Sequence, residues 1–294
     1  MPDPFRLQGP SAINVSGGRT SGMMLHHILE RHDGRLPPDV FAFFCNTGRE
    51  MPATLDFVRD MSVHWSVHIQ WLEYRRDPET GRQWAEAVSH NSASRNGEPF
   101  VQLLEARGYM LPGPKMRFCT EELKMRTVQR WVRDELGWGW HRRYLGLRYD
   151  ELHRVHRIAL RNASRRDGHF GSCPLAKARM TKLGHVKPFW AAQPFDLGLA
   201  GDWEGNCDGC FLKRQGSLVR MTIDHPDKML WWSEQERLAK ARGYTNGQFR
   251  SPDRESYAQI ADRIRREPTL PGLYLDPDDT GFDAFADCEG GCGV

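Results

Sequence analysis

Between residues 11 and 76 the chain alternates short apolar runs with amphipathic ones, and this order restricts its fold more than any other feature. "SAIN" (11–14), "DVFAFFCNTG" (39–48) and "WSVHIQWLEY" (65–74) read as strands. Met23, Met24, His27 and Ile28 recur like one face of a helix, and "MPATLDFVRDM" (51–61) is a second helix with Pro52 near its start. Strand, helix, strand, helix, strand predicts an α/β fold, a parallel twisted sheet with helices on both faces. The turns after the first two strands then fall at the carboxyl edge, where open α/β sheets bind ligands.

The first of these turns is "VSGGRTSG" at 15–22. A strand-to-helix turn leaves unpaired N–H groups and a partial positive charge, both of which suit an anion. Gly17 and Gly18 let backbone approach a ligand, while Ser16, Thr20 and Ser21 add hydroxyl donors. An ordinary serine N-cap with turn glycines fits the same residues. The loop lacks the G-x-x-x-x-G-K-[ST] spacing of a Walker loop.

Further along, "TEELKMRTVQRWVRDELG" (120–137) predicts an amphipathic helix, with Thr120 as its capping-box residue and Gly137 as its stop. "RRYLGLR" (142–148) reads as a fourth strand running into a turn, and "YDELHRVHRIAL" (149–160) as a helix. Two more helices, in "DKMLWWSEQERLAKARG" and "DRESYAQIADRIRRE", suggest a small helical appendage. Residues 75–98 and 162–172 read as loops, and 265–294 as an irregular tail.

Lys plus Arg number 41 against 38 acids, so the net charge of +3 says little about partners. The distribution says more, because His141 to His169 holds eight arginines and three acids. That stretch is either a solvated face or a surface for a phosphate-rich partner such as nucleic acid. "MPDPFRLQGP" has no apolar leader core, and no run approaches the length of a membrane span, which predicts a cytoplasmic protein without a membrane partner.

In that compartment, seven cysteines are poor material for a disulfide framework and raise the question of metal or sulfur chemistry. Cys207 and Cys210 form a C-x-x-C turn with Gly205 and Gly209, a spacing that suits zinc or an iron–sulfur cluster. Cys119 is placed immediately before a helix, where a thiolate gains from the helix dipole. Cys173, Cys288 and Cys292 are available as a fourth ligand, and Cys45 reads as a small hydrophobe. From spacing alone a cluster, zinc and no metal all stay open. His26, His27, His64, His68, His153, His156 and His185 show no convincing ligand spacing and read as solvated or locally bonded. "LGWGWHRR" (136–143) reads as helix-end packing, with base stacking as the alternative.

Taken in order, "SGGRTS" (16–21), "NTG" (46–48), "RFCTEELK" (117–124), "GLRYDELHR" (146–154) and "CDGCFLK" (207–213) resemble the phosphoadenylyl-sulfate (PAPS) reductase family of the PP-loop, adenine nucleotide alpha-hydrolase-like superfamily. The resemblance spans roughly residues 11–235. It implies a Rossmann-like nucleotide-binding domain over 1–170, and a C-terminal, cysteine-bearing helical region over 171–294 that completes the site. Ser16, Gly17, Gly18, Arg19, Thr20 and Ser21 would cradle phosphate or sulfate. Asn46, Thr47 and Gly48 would lie near the adenosine, with Gly146 beside the nucleotide and Arg148 neutralising charge on the α-phosphate or leaving group.

The resemblance also implies a [4Fe–4S] cluster on Cys119, Cys207 and Cys210, although Thr120 stands where such members carry a second cysteine. Many ATP-using members place an acidic residue where Thr20 stands, so Mg²⁺ coordination is left open. The family's tail motif is absent, and "DCEGGCGV" is only loosely like it. Three functions follow. One is ATP-dependent sulfur transfer to a nucleic acid, an open iron holding the sulfur delivered by a cysteine desulfurase. Another is reduction of a sulfonucleotide to sulfite, with Cys292 attacking sulfur and a thioredoxin-like partner resolving the product. The last is a non-catalytic nucleotide-binding module with a structural metal.

Overall fold

The computed structural model describes residues 3–164 and 168–266. Six strands form one sheet: β1 (Ser11–Asn14), β2 (Val40–Asn46), β3 (Ile69–Arg76), β4 (Gln83–Val88), β5 (His141–Tyr144) and β6 (His169–Ser172). Their order is β4-β3-β2-β1-β5-β6, and every pairing is parallel except β3 with β4. The chain leaves β1 toward β2 and later returns to its other side as β5. The carboxyl ends of β1 and β5 therefore flank the topological switch point.

Alternation along the strands divides the core. Ile13, Ala42 and Phe44 face α1 (Arg19–Glu30) and α2 (Pro52–His64), whose Met24, Leu25, Ile28, Leu55, Val58 and Met61 are buried with them. Ala12, Phe43, Cys45 and Leu72 face the other way, against Val128 and Val132. Helices thus cover both faces, as the sequence order predicts. Trp190 and Leu197 join the first core, so chain beyond residue 171 packs back onto α1 and α2. The division expected at residue 170 falls inside β6.

Three elements differ from the sequence reading. The 75–98 loop contains β4, which pairs antiparallel with β3 from Trp71↔Val88 to Arg76↔Gln83. Asp77 Oδ1 makes that hairpin by accepting from the N–H groups of Glu79 (2.8 Å) and Thr80 (2.9 Å), and the strand reads as polar because it is a half-exposed edge. Likewise, 162–172 contains β6, held by paired 2.8 Å hydrogen bonds between the Asn162 amide and the Gly171 backbone. The helix expected from Thr120 begins at Phe118, makes no side-chain cap and is π-helical over Glu121–Arg126 before continuing as Thr127–Asp134. Buried Glu122, drawn in by Arg107, Arg126 and Arg130 at 2.9–3.1 Å, occupies the widened turn.

The helical appendage is larger than expected. Helices Gln215–Asp224, Pro226–Ala241 and Tyr257–Arg266 enclose Trp232, Phe249 and Tyr257 in a second core, which also takes in Phe100 of α3 (Glu98–Ala106) and both C-x-x-C cysteines. Residues 267–294, most of the expected tail, lie outside the described residues. Among the described residues no helix is long and apolar enough to cross a membrane.

Candidate functional site

The Ser16–Gly18 loop leaves β1 and enters α1 without a side-chain cap, so the first-turn N–H groups of the helix face the space above the sheet. Gly17 has φ +79°, and a Cβ there would lie 2.4 Å from Thr54 Cγ2, so only glycine fits. Ser21 serves the loop internally, its hydroxyl accepting from the Ser16 N–H (2.9 Å) and donating to the Gly18 carbonyl (3.0 Å). Gly146, just past β5, lies against this turn, where a Cβ would meet Ser21 Cα at 2.8 Å. That approach brings Arg148 over α1, where Nη1 donates to Thr20 Oγ1 (2.9 Å) and Nε to Asp150 Oδ1 (2.9 Å).

Ser16, Gly17, Gly18, Arg19, Thr20 and Arg148 line one cavity of about 440 Å³, within the size range of small-molecule sites. Arg19 is engaged on its rim, donating to Asp196 at 2.7 and 2.9 Å. Glu50, Glu151, Asp196 and Asp202 also line the cavity, and each has a cationic partner within 4 Å: Lys124, Arg148 with Arg154, Arg19 and Lys182. Exposed Lys187 adds a further cation. The cavity therefore offers an anion backbone donors and cations.

Asn46, Thr47 and Gly48 do not line it. Asn46 is buried and structural, donating to Glu73 (2.5 Å) and to the Ser94 carbonyl (2.8 Å). Gly48, at φ +78°, gives close passage to Gly97. Thr47 instead lines an adjoining apolar cavity, where Cys119, Cys207 and Cys210 come together with Thr120. Three soft donors lining one cavity are of the type a thiolate-bound metal takes, although their sulfur atoms do not all lie within 4.8 Å of one another. Cys119 stands in the first turn of its helix rather than before it. Cys173 lies elsewhere, packed with Leu145, Leu147 and Ile158, and burial pushes its thiol up to about 12. Cys45 is buried and its thiol donates to the Lys124 carbonyl at 3.5 Å, in keeping with a small hydrophobe. Cys288 and Cys292 lie outside the described residues.

The connection between the cavities joins Thr47 and Cys207 through two residues that sequence reasoning missed, Lys124 and Glu50. Lys124 lines both. Glu50, on the wall of the first, accepts from the Thr47 N–H and hydroxyl at 2.9 Å, and Thr47 Oγ1 is 3.5 Å from Cys207 Sγ. An isolated antiparallel bridge joins Glu50 to Cys207. Beside it, Arg49 and Asp208 form a fully buried pair at 2.6 Å, with Arg49 over the Trp231 ring and Trp232 Nε1 donating to Asp208 at 2.7 Å. Gly209 leaves room for Trp232, whose Nε1 would lie 2.3 Å from a Cβ there. The available signal was charge inside two turn motifs, "NTGRE" and "CDGC", where solvated side chains are the ordinary expectation.

The arginine-rich stretch is divided. Arg143, Arg148 and Arg154 are buried, Arg154 with Glu151 and Arg143 against the Asn14 amide, so they serve the interior. Arg142 is exposed, Arg157 and Arg161 are half-buried, and Arg165 and Arg166 lie outside the described residues. Trp138 packs on Phe41 as helix-end packing predicts, whereas Trp140 is exposed.

Comparison with known proteins gives the chain similarities in fold. It is similar to a PAPS reductase and to a tRNA thiolase. Against the PAPS reductase of Candida auris, in its phosphate complex, the TM-score is 0.35 at 16% identity, covering 63% of this chain and 72% of that one. Against the U34-tRNA thiolase NcsA of Methanococcus maripaludis with its [4Fe-4S] cluster, it is 0.41 at 12% identity, covering 88% and 82%. In sequence, the chain is 27% identical over 207 residues to the uncharacterized nin region protein ORF290 of Escherichia phage lambda, covering 69% of this chain and 66% of that protein's length. No protein-family model matches it.

Proposed function

We propose that this chain is a PP-loop enzyme that binds an adenine nucleotide against Ser16–Gly18 and performs sulfur transfer at the neighbouring cysteines, with ATP-dependent thiolation of a nucleic acid as its reaction. The observation that carries this reading is the adjacency of the two cavities, which share Lys124 and are linked through Glu50, Thr47 and Cys207. The nucleotide phosphates would rest on the N–H groups at the start of α1. Arg148, oriented by Thr20 and Asp150, would neutralise charge as pyrophosphate leaves.

Cys119, Cys207 and Cys210 would hold a [4Fe–4S] cluster, with zinc as the alternative; a three-thiolate cluster supplies an open iron where sulfur can be carried. The nucleic acid would cross Arg142, Arg157 and Arg161, and a cysteine desulfurase would deliver sulfur. The ion-paired state of every carboxylate lining the cavity favours a second reading, sulfonucleotide reduction, because such a nucleotide binds without Mg²⁺. There Cys292 would attack sulfur and a thioredoxin-like partner would release the product.

Anaerobic purification with iron, sulfide and zinc analysis, followed by substrate assay, tests both. We expect roughly four iron and four sulfide per chain, the content of a [4Fe–4S] centre, lost in Cys119→Ser and Cys207→Ser. AMP formation from ATP that depends on added tRNA or DNA supports thiolation. Sulfite release from PAPS without it transfers the assignment to the reductase, and a metal-free chain inactive in both assays ends either reading.

A further inference from the structure

The last turn of α1 gathers three potential ligands, with Glu30 three and four residues beyond His27 and His26. His26, His27 and Glu30 each offer a ligand atom, and these three atoms lie within 4.8 Å of one another. Glu30 Oε2 is 2.8 Å from His27 Nδ1 and 3.6 Å from His26 Nδ1. Donors around a tetrahedral zinc ion stand about 3.3 Å apart when each bond is about 2.0–2.1 Å. Small side-chain adjustments would let this trio share one ion.

Other features point the same way. His26 Nδ1 is buried and has no hydrogen-bond partner, a state that normally calls for an explanation. The rings are fixed by packing, His26 against Trp65 and Phe189 with centroids 5.0 Å apart in each case, and His27 against Phe5 at 5.3 Å. The site lies at the negative end of the α1 dipole, where a cation is favoured.

We propose that His26, His27 and Glu30 form a zinc-class divalent metal site, distinct from the cysteine cavity, with water completing the coordination. Two imidazoles and a carboxylate with open positions suit Zn²⁺ and its late first-row neighbours. An ion there would clamp the end of α1 opposite the Ser16–Gly18 loop.

Equilibrium dialysis of the full chain against zinc tests the site, using His26→Ala, Glu30→Gln and a Cys119→Ser/Cys207→Ser variant, with Co²⁺ as the spectroscopic probe. The His26 and Glu30 variants should lose affinity for one zinc equivalent by roughly 10- to 100-fold, the scale at which even outer-sphere groups act. The cysteine variant should keep that equivalent and show visible cobalt bands without the near-ultraviolet sulfur-to-cobalt band. The Glu30 side chain is 55% exposed, so Glu30→Gln remains decisive should His26→Ala fail to fold. Unchanged zinc binding in Glu30→Gln, or loss of all zinc with the two thiols, would overturn the proposal.

Discussion

The two adjoining cavities are assembled in different ways. The first has a floor of local backbone, a glycine loop, the start of one helix and a strand end drawn against them by Gly146, and walls supplied by distant chain between residues 182 and 206. The second is built from the 47–50 turn, the 118–134 helix, the C-x-x-C turn and Trp232, and it is fixed by buried charge. A site made of local backbone can be recognised from a short string of residues. A site made of distant segments depends on partners that no string contains.

The buried pair supplies the strongest way to break this contrast. Asp208→Ala would strand the Arg49 guanidinium in the interior, and we expect a loss of about 3–5 kcal/mol in denaturant unfolding, together with loss of metal from the cysteines. A loss below about 1 kcal/mol would show that the second cavity does not depend on this pair. Arg148→Ala should act on the first cavity instead, lowering turnover by about 100- to 1000-fold while leaving metal content unchanged. Equal damage to both properties would merge the two cavities into one energetic unit.

Acid should separate the regions by sign. Burial, aided by Arg143, lowers His141 at the start of β5 to about 4, whereas burial raises Glu236 of the helical region to about 7 despite N–H donors from Phe249 and Tyr257. For His141 the unfolded chain holds more protons between about 4 and 6.5, so its contribution to stability is lost on acidification through that window. For Glu236 the folded chain holds more between 4.5 and about 7, so its contribution is lost as pH rises. Each is worth about 3 kcal/mol. Hydrogen exchange, followed region by region, should show sheet protection falling in acid while helical protection rises, and Glu236→Gln should flatten the second slope alone. Parallel slopes would remove the distinction.

The smallest effect concerns Gly146→Ala, whose new Cβ would press on the Ser21 backbone. We expect about 1–3 kcal/mol and weaker nucleotide binding by calorimetry, with the cysteine cavity unaffected.

Much of the architecture was legible because period-2 and helical patterns report burial directly. β1 to β3 and α1 follow from it. The misses share one cause. β4 and β6 are edge strands with a polar face, Glu122 and Asp208 are acids buried with arginine partners, and Asn46 spends its hydrogen bonds on β3 and Ser94. In the acids and Asn46 a polar side chain is satisfied inside the protein, which sequence pattern cannot distinguish from exposure to water. His26 and His27 illustrate the same point, since adjacent positions on a helix do not ordinarily face one ligand.

The bridge between Glu50 and Cys207 also sets a schedule. During synthesis the sheet's first strands and Cys119 emerge well before the C-x-x-C turn, and at about 5–20 residues per second the intervening chain takes roughly 5–20 s to appear. Throughout that interval Cys119 has neither of its sulfur neighbours, and the wall that will enclose it does not yet exist. Closing the loop is a long-range event with a correspondingly high entropic barrier. Under the proposed function, metal loading would therefore be a late step in the life of the chain, and the competing hazard before it would be oxidation of the Cys119 thiol.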